Sequence, residues 1–294
     1  MTMAQHPPWV SLLNYEAPSA RYWHGGKIPE ARQKPPRRTR GVCPGGPLVD
    51  TDPANKLGQR DWPECQFFWP PTGPRCHVYS IGVANQWGFE DSASTRCSVH
   101  AYDPTKQLKK VHEAHRRQNV HFHYRGLGGE TSRGVAHPVG GGGSGNVTVR
   151  RTSVDRSNVY GSHSLASLRT LNELVAGNAG QPLPDVLKID CEGCEWVALL
   201  QVARRTPSIL NRTSLLLLEV HVAASMASDG ITSEHASEVF KFLLDILGFR
   251  VWWMRDNPGH KRDQRIARFG RKVGLRNGQC CYELALARRL SRLT

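Results

Sequence analysis

Three carboxylates follow one short apolar run near the middle of the chain. The run is Val186–Ile189, and the carboxylates after it are Asp190, Glu192 and Glu195. The run predicts a buried strand, and the residues from Glu195 onwards predict a helix. In an open α/β sheet, ligands bind at the carboxyl ends of strands, so Asp190 and Glu192 lie where chemistry is expected. Acidic residues also stabilise helix N-termini, and the spacing alone leaves both interpretations open.

A glycine and an acid end two earlier strands. Gly82 follows the predicted strand His77–Ile81, and Asp103 follows the predicted strand Ser98–Tyr102. A glycine lets a ligand approach the backbone, and an acid about 20 residues further on can bind ribose hydroxyls. The dinucleotide pattern GxGxxG is absent, so the pair favours a nucleoside without a pyrophosphate, S-adenosylmethionine rather than NAD. A tight turn with an acidic cap is the alternative that these residues leave open.

Strands and helices alternate over most of the chain after residue 75. Besides the three strands above, the apolar patterns predict Asn119–Tyr124, Leu215–Val220, Phe249–Met254 and Cys281–Ala287. Helices are predicted over Thr105–Arg117, around Leu165, Leu168, Leu171 and Val175, and around Val239, Phe242, Leu243 and Ile246 up to a stop at Gly248. This alternation predicts a mostly parallel sheet, and the last two strands, which no helix separates, predict an antiparallel pair.

Composition divides the chain into two parts. Residues 1–60 are rich in Pro, Arg and Gly and predict a basic, poorly ordered extension. Residues 61–294 hold the α/β pattern, interrupted at 129–164 by a glycine-rich insertion that predicts a flexible surface segment. The run from Gly140 to Gly145 is not a phosphate loop, because no Lys-Ser/Thr pair follows it.

The chain is strongly basic, with 39 Lys and Arg against 25 Asp and Glu and a formal net charge of +14. This charge suits an anionic partner (nucleic acid, a membrane surface or an acidic glycan), and it is also a general solubility feature. No apolar run is long enough to span a membrane, and residues 1–20 lack the pattern of a signal peptide. We therefore expect a soluble, cytoplasmic protein, with the secretory pathway as the alternative if the N-terminus is incomplete.

The eight cysteines give mixed signals. Cys191 and Cys194 have the CxxC spacing of redox pairs and of half a zinc site, but no second pair supplies the other half. Four more are dispersed as in a secreted disulfide framework: Cys43, Cys65, Cys76 and Cys97. We expect free buried thiols at most of these positions.

Two tryptophans precede a basic segment near the C-terminus. Trp252 and Trp253 point to opposite faces if they lie in a strand, so we expect one in the core and the other free to stack on a sugar or a base. The segment from Arg255 to Arg276 carries eight cationic side chains. A solvated loop is the favoured interpretation, and a cover over an acidic acceptor is the alternative.

Three segments together resemble one known family. They are Tyr79–Glu90, Val99–Pro104 and Asp185–Trp196. Their combination resembles the FkbM-type methyltransferase domain, in particular its eukaryotic methyltransferase-like branch, over roughly residues 60–288 without the glycine-rich insertion. The most specific part is Lys-Ile-Asp-x-Glu-Gly-x-Glu, which begins at Lys188. Many family members have an acid where this chain has Ser80.

The resemblance implies an α/β, Rossmann-like class I methyltransferase. Its sheet would be mostly parallel and seven-stranded, with an antiparallel last strand and helices on both faces. S-adenosylmethionine would lie over the ends of the first two strands, with Asn119 to Leu127 beside its adenine. Gly82 would admit the cofactor, Asp103 would hold its ribose and Glu90 would help to close the site. The cofactor-binding residues implied in this way are Gly82, Asn85, Glu90, Asp103 and Asp190.

The implied reaction is methyl transfer to an oxygen nucleophile, which requires a group that removes a proton. The candidate catalytic residues are His221, Asp190 and Glu192. His221 lies at the end of a strand next to the acidic strand, and histidine as a residue type titrates near neutral pH, which suits a general base. A structural, hydrogen-bonded histidine is the alternative. Asp190, Glu192 and Glu219 could instead hold a divalent cation that lowers the pKa of the acceptor.

Three classes of function are consistent with these residues. The first is an O-methyltransferase that acts on a carbohydrate or another small hydroxylated acceptor. The second is a nucleic-acid methyltransferase, which the charge favours, although no Asp/Asn-Pro-Pro-aromatic segment follows the strand at Val186. The third is a binding protein that retains the fold without catalysis, which the serine at position 80 allows.

Overall fold

The computed structural model describes residues 39–41, 49–50, 62–64, 69–70, 76–84, 86–105, 108–115, 117–129, 132–138, 147–150, 165–177, 182–191, 193–221, 231–257 and 281–288. Asn85, Glu192, the run from Gly140 to Gly145 and most of the basic segment after Arg255 lie outside these ranges. The expectations for those residues stay predictions.

The strands follow the apolar runs of the sequence. In chain order they are β1 (Thr39–Gly41), β2 (Val49–Asp50), β3 (Pro63–Glu64), β4 (His77–Ile81), β5 (Ser98–Tyr102), β6 (Val120–His123), β7 (Gly126–Leu127), β8 (Ser132–Pro138), β9 (Val147–Arg150), β10 (Leu165–Arg169), β11 (Val186–Ile189), β12 (Leu215–His221), β13 (Arg250–Asn257) and β14 (Cys281–Ala287). The predicted strands at 77, 98, 119, 186, 215, 249 and 281 are therefore present.

The helices alternate with these strands. They are α1 (Gly88–Ser94), α2 (Lys109–Ala114), α3 (Leu171–Ala176), α4 (Cys194–Arg205) and α5 (Ser233–Lys241), with a 3₁₀ turn at Pro207–Leu210 and a π-helical turn at Phe242–Ile246. Gly248, at φ +74°, follows the last of these turns, as predicted. Among the residues that the structure describes, no helix is both long and apolar enough to cross a membrane.

The main sheet has the order β1-β13-β14-β12-β11-β4-β5-β6. Adjacent strands are parallel from β6 through β5, β4 and β11 to β12. β14 is antiparallel to both of its neighbours, β12 and β13. The prediction of a mostly parallel sheet with an antiparallel pair at its end is confirmed, and β1 adds a further strand at the β13 edge.

Both faces of this sheet are covered by helices. One face of the central strands packs on α3, α4 and α5 and holds Tyr79, Leu187 and Leu218. The other face packs on α1 and holds Val78 and Val186. Strands buried on both faces have continuous apolar runs, because successive side chains point to opposite sides. The sequence pattern and the layered architecture therefore agree, and the carboxyl ends of the parallel strands form one edge.

The structure corrects the predicted helix around Leu165 and Val175. Leu165–Arg169 is strand β10 of a second sheet, with the order β7-β10-β8-β9, and the helix begins only at Leu171. Thr170 sets that start with a capping box, because its Oγ1 accepts from the amide of Glu173 and its own amide donates 2.8 Å to the Glu173 carboxylate. This cap separates Leu165 and Leu168 from Leu171 and Val175.

Two segments with low-complexity composition also contribute strands. Part of the glycine-rich insertion forms β8 and β9, which pair with each other, and β8 also pairs with β10. Within the extension at residues 1–60, Thr39–Gly41 pairs with β13, which gives the exposed edge of β13 a hydrogen-bonding partner. The division of the chain at residues 60 and 129–164 stays a prediction.

Candidate active site

The candidate residues meet at the carboxyl edge of the main sheet. Gly82 follows β4, Asp103 follows β5, Asp190 follows β11 and His221 is the last residue of β12. Because β5, β4, β11 and β12 are adjacent and parallel, these four residues share one edge. The described candidates therefore lie at one edge of the sheet, and their roles in a site stay predictions.

Gly82 is fixed by its contact with the neighbouring strand end. Its φ is +82°, and a Cβ built on it would lie 1.5 Å from the carbonyl oxygen of Asp190. The amide of Asp190 in turn donates 2.9 Å to the carbonyl of Ile81. Any other residue at position 82 would force β4 and β11 apart at this edge. The glycine thus serves strand packing, in addition to the ligand approach that the sequence suggests.

Asp103 stabilises the turn after β4. One carboxylate oxygen accepts 2.7 Å from the amide of Ala84, and the other accepts 2.8 Å from the amide of Thr105. The acidic cap that the sequence left open is therefore present. Each carboxylate oxygen has a second lone pair, so this cap leaves capacity for ribose hydroxyls. Nearby, the Tyr124 hydroxyl donates to the Thr105 carbonyl, so the residues after β6 border the same turn.

Glu90 supports the Gly82 turn from inside the protein. It is fully buried, and it accepts a hydrogen bond from the Ser80 hydroxyl. Lys188 Nζ lies 3.6 Å from the Glu90 carboxylate and donates 3.1 Å to the carbonyl of Gly82. Helix α1 therefore places a buried carboxylate beside Ser80, near the end of β4.

His221 is held by the carboxylate of Glu195, for which the sequence pattern predicts no role. Glu195 Oε1 accepts 2.8 Å from the amide of His221 and lies 3.1 Å from its Nδ1, while Oε2 accepts 2.9 Å from the amide of Gly193. The Trp196 indole donates 2.7 Å to the His221 carbonyl. An Nδ1–H directed at Glu195 leaves Nε2 as the basic nitrogen. Glu195 is the last acid in the segment Asp185–Trp196. Its place in that segment is the sequence feature that could have indicated a role for it.

The same histidine is one of three side chains that form a candidate ligand set for a cation. Asp190, Glu219 and His221 each place one donor atom so that all three lie within 4.8 Å of one another. His221 Nε2 is 4.0 Å from Glu219 Oε1. Two carboxylates and one imidazole suit a first-row divalent ion. The structure thus groups two of the three predicted metal candidates and adds His221, while Glu192 lies outside the described residues.

A further buried carboxylate, that of Glu283, lies next to this cluster. The register of β12 and β14 sets Glu283 opposite Glu219, and Arg255 binds the Glu283 carboxylate at 2.5 Å. The pKa of Glu283 is raised to about 7, mainly by burial and in part by the charge of Asp190, while Arg255 and Lys188 act in the opposite direction. The floor of the site therefore carries a dense set of buried charges.

Both tryptophans of β13 are buried, which corrects the expectation that one of them is free to stack on a ligand. The exposed fractions are 2% for Trp252 and 3% for Trp253, and both belong to the cluster on the α1 face. A register shift between Val251 and Trp253 breaks the strict alternation of the strand. A stacking ring for a sugar or a base is therefore not supplied by this pair.

The expectation of free thiols is wrong for four cysteines. Cys76 bonds to Cys97, and Cys191 bonds to Cys194. The first bond joins the residues that precede β4 and β5, and the second lies between Asp190 and α4. Because Cys191 and Cys194 are bonded to each other, their sulfur atoms are not free to bind zinc. The half-zinc-site interpretation therefore does not apply to the disulfide form.

Part of the chain is similar in sequence to a known family. A sequence model of the family described as "Methyltransferase domain" matches residues 70–245. No curated protein matches the chain. Among solved structures, YjhP from E. coli has 11% identity over 74% of this chain and 87% of its own, with a TM-score of 0.29. YcgJ from Bacillus subtilis has 11% identity over 74% and 92%, with a TM-score of 0.22. At TM-scores this low, neither structure bears on fold or function.

Proposed function

Because the chain belongs to this family of methyltransferase-domain proteins, we propose that it transfers a methyl group from S-adenosylmethionine to a hydroxyl oxygen of a carbohydrate or another small molecule. The observation that carries the proposal is the pair His221–Glu195, a histidine oriented by a buried carboxylate beside Asp190. Within the family, the segment from Lys188 to Glu195 supports the assignment to the FkbM type and its eukaryotic methyltransferase-like branch.

The turn after β4 fits the cofactor. The Gly82 backbone and the Asp103 carboxylate would hold its nucleoside, and the Glu90–Lys188 pair keeps the Gly82 carbonyl in place. When bound, the sulfonium supplies the reactive methyl group. The protein then has to align the acceptor and remove one proton.

His221 would remove that proton. Its Nε2 would accept the proton of the acceptor hydroxyl as the oxygen forms its bond to the methyl carbon. The charge that develops on the imidazole would be stabilised by Glu195 through Nδ1–H, at 3.1 Å. Asp190, on the neighbouring strand end, would orient the acceptor hydroxyl.

A methyl-transfer screen with labelled cofactor tests the proposal. The panel should contain glycans, small hydroxylated compounds and RNA, since the net charge of +14 favours nucleic acid as the second acceptor class. We expect transfer to a hydroxylated small molecule or glycan, and saturable cofactor binding by calorimetry. Salt-sensitive transfer to RNA would instead establish the second class. Absence of cofactor binding would leave a binding protein that retains the fold.

Metal assistance is an alternative way to activate the acceptor. Asp190, Glu219 and His221 would hold a divalent ion, with Glu195 orienting the imidazole from behind, as outer partners of metal-bound histidines do. The bound ion would lower the pKa of the acceptor hydroxyl. Glu192, between Asp190 and Glu195 in sequence, is a further candidate ligand.

Under this alternative, chelation lowers turnover by about tenfold or more, and Mn²⁺ or Mg²⁺ restores it. Mn²⁺ binding, followed by electron paramagnetic resonance, should be saturable in the unaltered protein and weakened in Asp190→Asn. Asp245→Asn is the matched control, because Asp245 is exposed on the π-helical turn. Turnover that is unchanged by chelation, together with no saturable Mn²⁺ binding, would exclude the ion and leave His221 as the base.

A further inference from the structure

The two disulfides of the described residues lie at opposite edges of the sheet. Cys76–Cys97 ties the amino ends of β4 and β5, and its cysteines are 2% and 3% exposed within the hydrophobic cluster on the α1 face. Cys191–Cys194 lies at the carboxyl edge, directly after Asp190. The first pair has the surroundings of a structural crosslink. The second is placed in the candidate active site.

The second pair also has the asymmetry of a reactive disulfide. Cys191 is half-buried and open to attack, whereas Cys194 is 4% exposed and is the first residue of α4, a helix of 12 residues. The helix N-terminus stabilises a thiolate at Cys194, which makes it a good leaving group. A sequence separation of 3, against 21 for Cys76–Cys97, also means that closing the loop removes less chain entropy from the unfolded state.

The loop closed by this disulfide contacts Glu195, the carboxylate that holds His221. Cys191 Sγ lies 3.7 Å from Glu195 Oε2, the oxygen that accepts from the Gly193 amide inside the loop. The other oxygen of Glu195 accepts from the His221 amide. Gly193 adopts φ +112°, so the loop has one unusual backbone conformation that the crosslink helps to keep. Opening the disulfide would therefore loosen the support of His221.

We propose that Cys191–Cys194 is a redox-active disulfide that regulates the site, with the oxidised form holding Glu195 and His221 in their working positions. The regulatory role rests on the proposed methyl transfer, whereas the redox activity of the pair does not. The partner is a dithiol reductant, either a small molecule or a protein.

The exchange is balanced in atoms and electrons. A thiolate of the dithiol attacks Cys191 Sγ, the Cys191–Cys194 bond breaks, and Cys194 leaves as a thiolate. The second thiol of the reductant then attacks its own sulfur in the mixed disulfide and releases Cys191. The dithiol is oxidised by two electrons to a disulfide, and its two protons end on Cys191 and Cys194.

The first experiment measures the order of reduction. The full chain is equilibrated at graded ratios of reduced to oxidised dithiothreitol, alkylated, and mapped by mass spectrometry. We expect Cys191–Cys194 to open at a ratio about tenfold or more lower than Cys76–Cys97, and Cys191 to be alkylated faster than Cys194. Reduction of Cys76–Cys97 first, or of both pairs at the same ratio, would overturn the proposal.

The second experiment measures the coupling to His221. On selective reduction, and in the double variant C191S/C194S, we expect hydrogen exchange of the His221 amide to accelerate about tenfold or more, since its acceptor on Glu195 is released. Turnover should fall by a similar factor. The matched control, C76S/C97S, should lose thermal stability but keep the protection of His221.

The outcomes separate the two proposals. Unchanged exchange at His221 after selective reduction would overturn the regulatory link even if the enzyme is active. Absence of turnover with every acceptor in both redox states would count against the proposed methyl transfer. In that event the order of reduction and the exchange at His221 would still decide the redox proposal.

Discussion

We expect His221→Ala to lower the turnover of the proposed methyl transfer by about 10²–10⁴-fold, the range typical for the loss of a general base. The imidazole is the group that Glu195 orients through Nδ1, and no other described side chain at the edge has that support. Affinity for the cofactor should change little, because Gly82 and Asp103 lie on other strand ends. The measurement is kcat with labelled cofactor, alongside calorimetry for cofactor binding.

Two further variants sharpen this result. Glu195→Gln keeps a side chain of the same size but loses the charge that stabilises the imidazolium, so we expect an intermediate loss of turnover and a shifted pH profile. His121→Ala, at an exposed position of β6, is the matched control and should retain turnover. Intact turnover in His221→Ala would remove this histidine from the mechanism.

We expect acid to destabilise the folded protein well before its carboxylates are all protonated, because one buried and one half-buried histidine resist protonation. His100 Nδ1 lies 3.1 Å from His123 Nε2 in a stack of aromatic rings over β4, β5 and β6. Burial lowers the pKa of His100 to about 4, and the charges that His123, His121 and His77 can carry lower it as well. Burial also lowers the pKa of His123 to about 4, with Arg125 and His121 acting in the same direction.

The sign follows from these pKa values. Both histidines have an ordinary pKa of 6.5, so between pH 6.5 and 4 the unfolded chain binds protons that the folded chain does not. Their contribution to stability is present above pH 6.5 and is lost as the pH falls towards 4. We expect a combined loss of about 2–4 kcal/mol, reduced from the full shift because His123 is only half-buried.

Urea unfolding at several pH values measures this loss. Carboxylates also titrate in the lower part of the window, so the informative comparison is with the double variant His100→Gln, His123→Gln. That variant should lose less free energy of unfolding between pH 6.5 and 4 than the unaltered chain. Equal pH slopes in the two proteins would show that the stacked histidines do not govern acid stability.

The parallel core of the fold could be predicted from the sequence because its strands are buried on both faces. Runs such as Val186–Ile189 and Leu215–Val220 are apolar throughout, and a glycine or an acid marks several of their ends. The position of the site followed, since parallel strands share one carboxyl edge. Gly82, Asp103, Asp190 and His221 all lie there.

The features that the sequence did not reveal depend on contacts between distant residues. Leu165 and Leu168 have helical spacing with the residues that follow, but pairing with β7 and β8 places them in strand β10. The two tryptophans are adjacent in sequence, which predicts opposite faces of a strand, yet both are buried beside a register shift in β13. The role of Glu195 requires knowledge that β12 ends beside the start of α4, which the local pattern around Glu195 does not contain.

The contact between Gly82 and the Asp190 carbonyl has a consequence for protein engineering. The turn proposed to bind the methyl donor and the loop proposed to meet the acceptor are joined backbone to backbone, with no side chain between them. Grafting either loop alone from a related enzyme would require the other to match it within a fraction of an ångström. Chimaeras that aim to change acceptor preference should therefore exchange residues 76–84 and 186–195 as one unit.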